Sequence, residues 1–140
     1  MTDFRKDLMT VPAVQGWPLY LLRLEGLTVF AVATFAYFAL GFSTMGFFVF
    51  FLAPDISFLA YLAGPVAGAI AYNALHSYAG AIALGVLAWF LGQEPFLGLS
   101  LIWVAHIGFD RMLGYGLKYG SHFQDTHLGR LGPIGKKRVE

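Results

Sequence analysis

Cysteine is absent from this chain of 140 residues, and charge is scarce: Lys, Arg, Asp and Glu together make up 12% of it. The first absence excludes a disulfide framework, a thiolate zinc site and a thiol nucleophile, so any metal must be held by His, Asp or Glu. The second excludes an ordinary soluble domain, in which about a quarter of the residues are charged. Runs of basic residues are also lacking beyond those a membrane edge requires, so no nucleic-acid partner is expected. What is there is apolar: 58% of the residues are hydrophobic and 17% aromatic. A soluble fold of this size could not cover its surface with so few polar groups, and the chain is expected to use lipid as part of its solvent.

A membrane pass takes about 20 mainly apolar residues, and the stretch from Leu24 to Tyr119 has room for roughly four with tight connections. The reading is an all-α integral membrane bundle with passes near residues 24–40, 47–63, 66–91 and 96–118. Residues 41–46, Gly64-Pro65 and residues 92–95 are its turns, the residue before a proline being pushed out of the helical region. Residues 1–23 read as a retained interfacial segment rather than a signal peptide, because Pro12 and Pro18 interrupt it and Trp17 and Tyr20 suit headgroup depth. Residues 24–119 form the transmembrane domain, and residues 120–140 a glycine-rich, basic, loop-like tail. Arg5, Lys6 and Arg23 precede the first pass, and Lys118, Arg130, Lys136, Lys137 and Arg138 follow the last. Both flanks are basic and the number of passes is even, so both termini are expected in the cytoplasm.

Ionisable groups within a membrane pass are expensive, face the bundle interior and mark function. Asp55 lies in the second pass, Asn73 and His76 in the third, and His106, Asp110 and Arg111 in the fourth, while Glu25 opens the first. Counted along each helix at about 1.5 Å per residue, Asp55, His76, His106 and Asp110 fall in one layer, on helices that run in alternating directions. His106 and Asp110 share a helix face at a spacing of four, as do Asn73 and His76 at a spacing of three. Two imidazoles and two carboxylates form a ligand set for a divalent ion such as zinc, manganese or iron, with outer support from Tyr72 or Asn73 and an open position for water. The competing reading is a structural network in which Arg111 pairs with Asp110 or Asp55; a proton or ion path is a third.

Glu25 either reaches that layer or pairs with Arg23. His122, Asp125 and His127 form a second His/Asp group, which suits a metal clip or ordinary capping and surface hydrogen bonds. The spacings Gly64-x-x-x-Gly68 and Gly116-x-x-x-Gly120 allow close helix approach.

Leu-Arg-Leu-Glu-Gly from Leu22, Pro54-Asp55, Tyr-Asn-x-x-His from Tyr72, the run from His106 to Tyr119, and Asp-Thr-His-Leu-Gly from Asp125 together resemble a bacterial membrane-protein family known only as domain of unknown function 4260. The order Pro54-Asp55, His76-Ser77 and His106-x-x-x-Asp110 also resembles membrane-bound metal-dependent hydrolases, although the arginine-containing extension before His-Ser is missing here. The first resemblance implies a multi-pass protein of the bacterial cytoplasmic (inner) membrane. The second implies that Asp55, His76, His106 and Asp110 bind a metal that hydrolyses a lipid-like substrate. The alternatives are a non-catalytic accessory subunit of a larger membrane complex, a homo-oligomer, or a small transporter or proton relay through Asp55 and Asp110.

Overall fold

A computed structural model describes residues 13–130. Five α-helices and one 3₁₀ segment follow one another: α1 (Trp17–Ala39), α2 (Thr44–Phe50), the 3₁₀ segment (Ala53–Ala63), α3 (Pro65–Leu75), α4 (Tyr78–Phe90) and α5 (Glu94–Leu113). They make four spans long and apolar enough to cross a membrane: Trp17–Ala39, Thr44–Ala63, Pro65–Phe90 and Glu94–Leu113. Large apolar side chains such as Leu62, Phe90 and Phe48 stand exposed around them, the reverse of a soluble fold.

α1 begins at Trp17, inside the stretch expected to be interfacial, because Pro18 falls in the first helical turn. There its missing N–H removes no hydrogen bond and its fixed φ favours the helix. The second span starts at Thr44, where the Ser43 hydroxyl accepts from Gly46 N at 3.2 Å and caps α2. Beyond Leu52 it tightens into a 3₁₀ helix with Pro54 in its first turn. Eleven residues are long for this conformation, whose runs seldom exceed about four. Its period of three has a clear consequence: Asp55, Phe58 and Tyr61 fall on one side, against α3.

The third span was expected to be continuous, but it breaks at His76-Ser77, where Ser77 is extended. Two carbonyls that leave the helical ladder there are captured by α5: Trp103 Nε1 donates to Leu75 O at 2.6 Å, and Arg111 Nη2 to His76 O at 2.7 Å. An unpaired buried carbonyl would be costly, so these two side chains make the break tenable.

α5 is the hub. Half of its span is buried, against 11–17% for the other three. It packs on α1 and α4, while α3 packs on the 3₁₀ segment. The approach to α1 is close enough that a Cβ on Gly108 would stand 2.6 Å from Phe30 N, and one on Gly26 2.6 Å from Met112 N. The core on this side comprises Ala33, Tyr37, Phe47, Ile102 and Ala105.

α5 ends at Leu113 rather than at Lys118, because Gly114 turns left-handed with φ 93°. The tail read as loop-like over residues 120–140 is described only as far as residue 130. The chain after α5 folds back as a strap, with an isolated bridge between Lys118 and Thr126 and a short antiparallel pair, β1 (Asp125–Thr126) and β2 (Gly129–Arg130). Val14 N donates to His127 O at 2.9 Å, which ties the strap to the segment before α1. Gly116 and Gly120 lie in this strap rather than in a helix, and Gly116 admits the His127 ring. Gly68 admits the Tyr61 ring.

Candidate metal centre

Asp55 projects from the first turn of the 3₁₀ segment, His76 from the break after α3, and His106 and Asp110 from successive turns of α5. The structure brings all four together, and their ligand atoms lie within 4.8 Å of one another. His76 Nε2 is 3.3 Å from Asp55 Oδ1, 3.5 Å from Asp110 Oδ2 and 3.1 Å from His106 Nε2. His106 Nε2 is 3.4 Å from Asp55 Oδ1 and 3.5 Å from Asp110 Oδ2. In a tetrahedral site with ligand bonds near 2.0–2.1 Å, neighbouring ligand atoms stand about 3.3 Å apart. Five edges of this cluster match that spacing.

The orientation of the His76 ring and its neutral tautomer follow from its partners. Its Nδ1 lies 2.9 Å from Tyr72 O, a group that can only accept, so Nδ1 carries the proton and donates. In the neutral imidazole Nε2 therefore presents a lone pair to the cluster. Doubly protonated rings would set two N–H donors against each other across 3.1 Å. Tyr72 fixes the ring further by stacking on it, centroids 3.7 Å apart and planes 10° from parallel, and its hydroxyl donates to Asp110 Oδ2 at 3.4 Å. His106 is held differently: its Nδ1 has no hydrogen-bond partner among the described residues, and the ring packs edge-on to Phe51 with centroids 5.4 Å apart.

Arg111 does not serve as the counter-ion of the carboxylates. Its guanidinium donates to the carbonyls of His76 and Tyr115, at 2.7 and 2.6 Å. Among the described residues, the close side-chain nitrogen neighbours of Asp55 and Asp110 are the rings of the two histidines. Asn73 turns away from the cluster and pairs with the Lys118 backbone, donating to its carbonyl at 2.8 Å and accepting from its N–H at 2.7 Å. Glu25 is exposed and outside the group, while Arg23 donates to Met112 O at 2.8 Å.

His122, Asp125 and His127 make no metal-competent group among the described residues. His127 Nδ1 accepts from Leu117 N at 2.8 Å, and Asp125 Oδ2 accepts from the Ser121 hydroxyl at 2.8 Å. Burial, and then the charge of Arg111, hold the His127 imidazole below its ordinary pKa.

Sequence reasoning read Lys118 only as an orienting charge. It is buried, with its ammonium 3.7 Å from the Phe123 ring centroid and 4.8 Å from that of Tyr72, donating to Phe123 O at 2.7 Å. Burial lowers its pKa to about 8. Trp103, which closes the break beside His76, was also missed: nothing in its own neighbourhood of sequence points to a carbonyl on another span.

A helical bundle with four membrane-length spans and a buried His/Asp cluster at a helix break defines a class of small multi-pass protein. Within that class, the chain belongs to the family described as Domain of unknown function (DUF4260), whose family model matches residues 20–131. No curated protein and no solved structure matches it.

Proposed function

We propose that the four-residue cluster is a divalent metal site and that the protein is a metal-dependent hydrolase of a lipid-like substrate, in the bacterial cytoplasmic membrane with both ends of the bundle on the cytoplasmic side. The observation that carries this reading is the convergence of Asp55, His76, His106 and Asp110, whose ligand atoms lie within 4.8 Å of one another with five of the six separations at 3.1–3.5 Å. Charge supports it. The two carboxylates bring negative charge among apolar spans, which is costly and which Arg111 does not pair with. A divalent ion would balance it, and the donor set suits zinc, manganese or iron.

Such an ion supplies Lewis acidity and an activated water. The protein's own part is to hold the ligands and to leave one side open. Asp55 is the most exposed of the four, its side chain 32% accessible against 13% for Asp110. Asp55 Oδ1 faces the two histidines, and its second carboxylate oxygen would take a proton from water as the new C–O bond forms and an ester C–O bond breaks, the leaving alcohol receiving that proton.

Elemental analysis tests the reading. Protein purified in detergent without chelators should carry near-stoichiometric metal, and folded His76→Ala and Asp110→Ala variants should lose it. A native protein devoid of metal overturns the proposal in favour of a structural network within an accessory subunit.

A further inference from the structure

Beside the cluster lies a second feature that the metal reading does not use. A cavity of about 230 Å³ opens between the 3₁₀ segment, the α3–α4 break and α5, walled by Phe50, Pro54, Leu75, Leu84, Leu99 and Trp103. Every wall residue is apolar, and every one belongs to a membrane-length span. The one polar atom among these side chains, Trp103 Nε1, is spent on Leu75 O at 2.6 Å. Nothing in the wall therefore asks for water. Within a bilayer, the medium beside such a groove is hydrocarbon.

Two wall residues are chain neighbours of the ligands: Pro54 precedes Asp55, and Leu75 precedes His76. On α5, Leu99 and Trp103 precede His106 by seven and three residues and so share its helix face, and Asp55 is the most accessible member of the cluster. His106 and Asp110 lie about two turns and one turn inside the end of α5 at Leu113, a depth near the boundary where lipid esters meet the acyl chains.

We infer that this groove is an acyl-chain subsite: it takes one chain of a glycerolipid and presents the ester at the chain's head to the opening beside Asp55. The inference deepens the hydrolase reading and rests on it for the chemistry, whereas the binding of the chain stands on the groove alone. Specificity would follow from shape. The break at His76 and the 3₁₀ turn at Pro54 bound the groove, so a saturated chain should fit better than a bulky or branched one.

The test is photolabelling of the full chain reconstituted in bilayers of phosphatidylethanolamine and phosphatidylglycerol that contain a phosphatidylglycerol with a diazirine in one acyl chain. Labelling should concentrate on Leu84, Leu99 and Trp103 over outward residues such as Leu62 and Phe90. Leu99→Trp, which fills the groove from α5, and Leu84→Trp, which fills it from α4, should each lower groove labelling roughly tenfold, the equivalent of about two buried methylenes. Metal content should stay at the native level in both variants. Even labelling around the perimeter, or groove labelling unchanged in both tryptophan variants, overturns the subsite and marks the lipid there as annular. Groove labelling in a native chain that carries no metal supports the acyl subsite and overturns the metal reading, so the two fail separately.

Discussion

Tyr72 lies flat on the His76 imidazole, 3.7 Å between centroids, and the same tyrosine supplies both the carbonyl that accepts from His76 Nδ1–H and the hydroxyl that donates to Asp110. One residue thereby orients two members of the cluster, His76 at the break after α3 and Asp110 on α5. The arrangement also separates two contributions. The backbone carbonyl survives any substitution, the stack survives exchange for phenylalanine, and the hydroxyl does not.

Tyr72→Phe should therefore keep the fold and weaken metal binding by about tenfold, the lower end of what outer partners of metal ligands contribute. A competition titration with a chromogenic chelator measures this. Affinity equal to the native protein's would show that the Asp110 contact does not hold the ligand in place.

The Arg111 guanidinium bridges the carbonyls of His76 and Tyr115, so it joins the broken third span to the start of the strap. Arg111→Lys retains the charge but loses the planar fork that reaches two acceptors at once. Bonds from charged donors contribute about 1.5–3 kcal/mol each, and a stability loss of about that size is expected in thermal unfolding of the detergent-solubilised protein. A loss within the scatter of exposed substitutions would mean that the break is held by other contacts.

α1 and α5 approach through Gly26 and Gly108, and the atoms a Gly108 Cβ would strike include the Phe30 backbone N, which cannot rotate away. Gly108→Ala is expected to cost about 1–3 kcal/mol by overpacking, while Ala83→Ser on an exposed stretch of α4 changes stability by less than about 0.5 kcal/mol. Equal unfolding temperatures for the two variants would show that the helices can part at no cost.

The spans and the His/Asp layer were legible in the sequence, because apolar length and rare intramembrane polar groups are each read along a single helix. The junctions were not. Trp103 and Arg111 reach carbonyls on another span, and Gly26 meets the fourth span rather than a glycine at helical spacing in its own. Such contacts leave no periodic trace. Pro18 misled because the same residue that interrupts a helix interior also starts one. The reading of Arg111 as a carboxylate partner rested on adjacency to Asp110, but neighbours on a helix point about 100° apart. The folding-back of the strap rests on Asn73 holding the Lys118 backbone, a pairing that local composition does not reveal.

That strap contains two bases held below their ordinary values, and both signs can be worked out. His127 accepts from Leu117 N–H through Nδ1, and Lys118 is buried against aromatic rings, so the unfolded strap binds protons more readily than the docked one. Docking is then favoured as pH rises. For Lys118, stability is fully present above 10.5 and is lost as pH falls towards about 8. For His127 it is present above 6.5 and is lost as pH falls below that value. Thermal midpoints measured against pH should descend in two steps with a plateau between. Lys118→Met should remove the alkaline step, and His127→Asn, whose amide oxygen can still accept from Leu117, the acidic one. A midpoint that rises on acidification, or steps that persist in both variants, would place the controlling groups elsewhere than in the strap.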